Sequence, residues 1–85
     1  MNPTPESLRD EEKRMRRLRF VMDLTQAILM QANLTLREAF DAVRGARNAA
    51  VALFPGKDAA FDLIYLPRFK RIIRERFVIP GGRPS

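Results

Sequence analysis

The sequence predicts an all-α protein, a small three-helix bundle whose third helix is broken near Pro67. Apolar residues recur at helical spacing in three successive segments, and helix start and stop signals separate those segments. The 85 residues are enough for one domain with a small core. A core of this size leaves oligomerisation as an expected source of stability, because the chain has no cysteine for disulfides.

The first helix is expected over 5–32. Thr4 is a suitable N-cap, and Pro5 suits the first helical position. A helix of about 28 residues is about 42 Å long and the second helix is about 27 Å long, so part of the first should project beyond the bundle. A heptad-like seam is expected to face the core at Met15, Leu18, Met22, Thr25, Leu29 and Ala32.

The same helix carries a second apolar stripe, which we call the α1 stripe and which consists of Phe20, Val21, Leu24 and Ile28. One helix of a three-helix bundle normally buries only the arc that faces its neighbours. Either the broken third helix covers this stripe, or the stripe is a surface for self-association or for a partner protein, centred on Phe20 and Leu24. The small size of the domain favours the second interpretation.

The second helix is expected over 36–53. Thr35 and Glu38 form a capping-box pattern at its start, and a Pro55-Gly56 turn follows its end. Its seam is predicted at Leu36, Phe40, Val43, Arg47, Ala50 and Phe54. A ridge of small residues beside that seam, which permits a close approach of another helix, comprises Ala42, Gly45, Ala46 and Ala49.

Arg47 is the one charged residue of the predicted seam. Most arginines at such positions bury the stem and keep the guanidinium in water. The alternative is a pair with Asp23 or Asp62 that would fix the helix register or the choice of partner.

The third segment is expected to begin after Asp58 as N-cap and to form helices over 59–66 and 67–78. Pro67 interrupts the helical pattern, which does not distinguish one kinked helix from two helices. The apolar residues of the segment are Phe61, Ile64, Tyr65, Phe69, Ile72, Ile73 and Phe77. A basic face, the candidate site for an anion or for nucleic acid, consists of Arg68, Lys70, Arg71, Arg74 and Arg76. Residues 1–4 and 80–85 are expected to be disordered.

The composition argues against an enzyme. The chain has no His and no Cys, which removes the most common general base, the thiol nucleophile and the usual transition-metal ligands. Its carboxylates are dispersed among 13 arginines, which would hold their pKa values down and make them poor proton carriers. We therefore expect no catalytic residue, no cofactor and no metal.

The net charge of +6 indicates acidic partners in general. The sequence is most consistent with a non-enzymatic protein-interaction or oligomerisation module that binds itself as a homodimer or binds another protein. The alternative is a nucleic-acid-binding protein that uses the arginine-rich face of the last helix. No turn interrupts 35–54 where a helix-turn-helix requires one. No apolar run is long enough to span a membrane and no targeting segment is evident, so a cytoplasmic location is expected.

Overall fold

The computed structural model describes residues 5–77, and their side chains from Glu6 onward. It contains four helices, α1 (Pro5–Gln31), α2 (Leu36–Leu53), α3 (Asp58–Ile64) and α4 (Leu66–Phe77). The expected all-α class is confirmed, and the last segment forms two helices, α3 and α4, which is one of the two alternatives that the sequence left open at Pro67. The predictions for Thr4, Val78 and the two termini lie outside the described residues.

α1 consists of two parts with different surroundings. Every residue of 6–17 is exposed, and we call this part the α1 projection. Met15, expected in the seam, belongs to it and is 38 % exposed. α1 packs against α2 and α4, and its buried seam positions are Leu18, Met22, Thr25 and Leu29. The Thr25 hydroxyl donates to the Val21 carbonyl at 2.8 Å, which satisfies the one buried polar side chain of this seam.

The two ends of α2 form as the sequence predicts. The Glu38 amide donates to Thr35 Oγ1 at 3.1 Å, and the Thr35 amide donates to Glu38 Oε1 at 2.9 Å, which completes the capping box. After the helix, the Lys57 amide donates to the Phe54 carbonyl at 3.1 Å across the Pro-Gly turn. Gly56 has φ 84°, a conformation that strongly favours glycine.

The buried face of α2 is rotated from the predicted seam towards its alanines. The buried residues are Ala39, Val43, Ala46 and Ala50. Leu36 and Phe40 were expected to face the core, and this is wrong because they are 47 % and 45 % exposed. Alanines let the neighbouring helices approach closely, so the bulkier side chains lie at the edge of the contact. Gly45 was expected in the small-residue ridge, but it is exposed, with no atom within 4 Å of a Cβ built on it.

α3 and α4 are separated by one residue. Asp58 is the first residue of α3 rather than its N-cap, because Lys57 takes the cap position without a side-chain hydrogen bond. The Asp58 carboxylate still lies in the first turn, where the helix dipole favours negative charge. Tyr65 lies between the helices in the right-handed helical region. Pro67 falls in the first turn of α4, where its missing N–H leaves no helical hydrogen bond unmade.

The core lies where α1, α2 and the last two helices meet. Leu29 is completely buried, and Phe61, Phe69 and Ile73 supply the largest side chains from α3 and α4. The ring centroids of Phe61 and Phe69 lie 6.3 Å apart, in a tilted arrangement that aromatic pairs favour. Ile64, which was expected on the apolar side of α3, is 50 % exposed.

Candidate interaction surfaces

The α1 stripe divides into an exposed half and a partly buried half. Phe20 is 65 % exposed and Leu24 is 47 % exposed. Val21 and Ile28 are partly buried, and Val21 packs against the core. The interpretation in which the last helix covers the stripe does not apply to Phe20 and Leu24, although α4 does pack against α1. Two large apolar side chains therefore remain in solvent on one side of the longest helix.

Charge is distributed unevenly along α1. Residues 13–19 contain five basic residues and no acid, whereas residues 20–32 contain one charged residue, Asp23. Among the described residues, none of these five basic side chains lies within 4 Å of a carboxylate. The Arg14 guanidinium carbon lies over the Phe54 ring, 5.6 Å from the ring centroid. The helix thus combines a basic segment with an almost uncharged one.

Arg47 pairs with Asp62, which was the alternative that the sequence left open. Its Nε donates to Asp62 Oδ1 at 2.7 Å and its Nη2 donates to Asp62 Oδ2 at 2.9 Å, so the pair is bidentate. Asp58 lies farther away, at 3.8 Å from Arg47 Nη2. The side chains of Arg47 and Asp62 are 37 % and 38 % exposed. The pair ties α2 to α3 at the edge of the core, and Asp23 takes no part in it.

The pKa shifts of Arg47 and Asp62 both favour the charged form of the side chain. The hydrogen bond from Arg47 lowers the pKa of Asp62, and the charge of Lys70 adds to that effect. The hydrogen bond to Asp62 raises the pKa of Arg47. A carboxylate held ionised in this way acts as a tether between helices and is a poor proton donor.

The basic residues of α4 do not share one face. Arg76 Nη1 donates to the Leu29 carbonyl at 2.6 Å, so it binds the last turn of α1, where a cation is favourable. The Arg68 guanidinium carbon lies over the Tyr65 ring, 5.8 Å from the ring centroid. Arg71 Nε lies 3.4 Å from Glu75 Oε2. Lys70 and Arg74 are exposed, and in the part of the chain that the structure describes neither has a carboxylate within 4 Å.

Lys70 and Arg74 border a groove that the sequence analysis did not anticipate. This α2–α4 groove has a volume of about 340 Å³ and is lined by Leu36, Phe40, Lys70, Ile73, Arg74 and Phe77. It exists because Leu36 and Phe40 lie outside the core contact of α2. The apolar spacing in the sequence correctly places both residues on one face of α2. It does not show that this face is turned away from the core.

The described residues contain no group of three or more acidic side chains that would hold a metal ion. Within 5–77, no helix is both long enough and apolar enough to cross a membrane. Comparisons with models of known protein families, with curated proteins and with solved structures find no match to this chain.

Proposed function

We propose that this chain is a non-enzymatic interaction module that forms a homodimer through the α1 stripe. The observation that carries the proposal is the exposure of Phe20 and Leu24 on the side of α1 that points away from its buried residues. Pairing the two stripes would remove these side chains from water, which stabilises association in proportion to the apolar area buried.

The charge pattern of α1 favours an antiparallel pairing of the two copies. A two-fold axis that passes between Phe20 and Leu24 would place Phe20 of each copy against Leu24 of the other. It would also place 13–19 of each copy beside the almost uncharged second half of the other helix. A parallel pairing would instead bring the two basic segments together, at an electrostatic cost.

The test is the substitution Leu24→Asp. In a symmetric dimer it places a carboxylate in the interface twice, and it removes about 1–2 kcal/mol of apolar burial at each position. We expect the dissociation constant to rise by at least about a hundredfold. Sedimentation equilibrium gives that constant, and far-UV circular dichroism reports whether the helices are kept.

Leu63→Asp is the matched control, because Leu63 is 78 % exposed and lies on α3, away from the stripe. This variant should associate like the natural chain. A natural chain that stays monomeric at about millimolar concentration, or equal weakening by both substitutions, would contradict the proposed dimer.

A further inference from the structure

We infer that the α2–α4 groove is a docking site for an acidic amphipathic helix of a partner protein. This surface shares no residue with the α1 stripe, so the inference does not depend on the proposed dimer. It depends on three features of the groove: the spacing of its lining residues, its apolar floor, and two cations that have no carboxylate within 4 Å among the described residues.

The residues that line the groove have the spacing of a helix-binding surface. Its lining consists of three pairs of residues spaced four apart, Leu36 with Phe40 on α2 and Lys70 with Arg74 and Ile73 with Phe77 on α4. Residues four apart lie on one side of a helix, about 6 Å along its axis. Two neighbouring helices therefore present matched rows of side chains, and a third helix can place its own row of apolar residues between them.

The floor of the groove requires an apolar occupant. Ile73 is buried at its base, and Phe77 is partly buried beside it. Leu36 and Phe40 keep nearly half of their surface in solvent. Four of the six lining residues are thus hydrocarbon, and covering them stabilises a complex only if the ligand brings apolar side chains.

The edge of the groove requires an acidic occupant. The carboxylates near it are already paired, Asp62 with Arg47, Asp41 with Arg44 and Glu75 with Arg71. Lys70, Arg74 and the neighbouring exposed Arg37 have no such partner within 4 Å among the described residues. Acidic side chains that flank the apolar row of a docked helix would meet these cations.

A nucleic acid fits this surface less well than an acidic helix does. Phosphates would neutralise Lys70 and Arg74, but they would leave the apolar floor between the cations uncovered. Stacking of a base on the half-exposed Phe40 remains the specific way in which a nucleic acid would bind here. The experiment therefore includes both ligands.

The experiment measures fluorescence anisotropy of two labelled helical peptides of about four turns, titrated with the full chain. Both peptides carry the same row of leucines, flanked by glutamates in one and by lysines in the other. A labelled single-stranded RNA is the third probe. We expect the glutamate peptide to bind, and the variant Lys70→Glu with Arg74→Glu to weaken that binding by about tenfold or more.

Arg9→Glu with Lys57→Glu is the matched control, since it reverses one exposed arginine and one exposed lysine that lie outside the groove and outside residues 13–19 of α1. It should leave peptide binding unchanged. Phe40→Ser tests the apolar floor without altering any charge, and it should also weaken the glutamate peptide. The inference is overturned if neither peptide binds, if the lysine peptide binds equally well, or if RNA binds and the groove substitutions abolish that binding.

Discussion

At the scale of single residues, Arg47 shows which information is present in the sequence pattern and which is present only in the folded structure. Helical spacing identifies it correctly as a charged residue on an apolar face, but spacing does not choose among its possible acid partners. Asp62 lies fifteen residues away on another helix, and only the turn at Pro55-Gly56 brings the two together. A long-range pair of this kind depends on tertiary structure, so the sequence alone does not identify which acid pairs with Arg47.

The pair predicts a specific dependence of stability on pH. The pKa of Asp62 is lower in the folded chain than its ordinary value of about 4. Its contribution to the free energy of unfolding is therefore complete above that ordinary value and is lost as the pH falls through the folded-state pKa. Thermal midpoints measured from pH 7 down to pH 2 should fall less for Asp62→Asn than for the natural chain.

The control for this prediction is Asp10→Asn, which removes an exposed carboxylate from the α1 projection. Asp10→Asn should follow the pH profile of the natural chain. A profile for Asp62→Asn that parallels the natural one throughout the acid range would show that the pair contributes nothing to stability.

At the scale of elements, the ends of helices are predicted well and their rotation is not. The capping box of α2 and the turn after it follow from local chemistry, so a few neighbouring residues define them. Which side of α2 is buried depends on how closely its neighbours approach. That approach is set by Ala39, Ala46 and Ala50 together with α1 and α4, and of these three alanines only Ala46 belongs to the small-residue ridge that the sequence indicates.

The rotation of α2 leads to a prediction about Gly45. This residue lies inside a helix with its Cβ position open to solvent. Gly45→Ala should raise the free energy of unfolding by about 0.5–1 kcal/mol, because alanine loses less backbone entropy on folding. For a domain of this size the thermal midpoint should rise by roughly 2–8 °C.

Gly56→Ala is the contrasting substitution. The space around Gly56 is also open, but its φ of 84° is unfavourable for a residue with a Cβ. We expect it to lower stability by about 1–2 kcal/mol. If both variants changed stability in the same direction, either α2 would be irregular at Gly45 or the turn would differ from the one described.

At the scale of the whole molecule, the sequence predicts the all-α class, the core half of α1 and its projecting end. These depend on apolar periodicity and on the difference in helix length, which are properties of the chain alone. The α2–α4 groove depends on which side chains are left outside after the helices pack. The α1 stripe was visible in the sequence, because a helix that is apolar over most of its circumference has more hydrocarbon than two neighbours cover.

The two proposed surfaces predict opposite responses to salt. Each copy of the chain carries a net charge of +6, so two copies repel one another while their apolar stripes attract. Raising the salt from about 0.05 M to about 0.5 M shortens the screening length to a few ångströms. The dimer should therefore become tighter in sedimentation equilibrium, because the repulsion is screened while apolar burial is retained. Binding of the glutamate peptide to the α2–α4 groove should weaken over the same range, because its attraction to Lys70 and Arg74 is screened. A dimer that dissociated as salt rose would mean that ion pairs, rather than Phe20 and Leu24, hold the copies together.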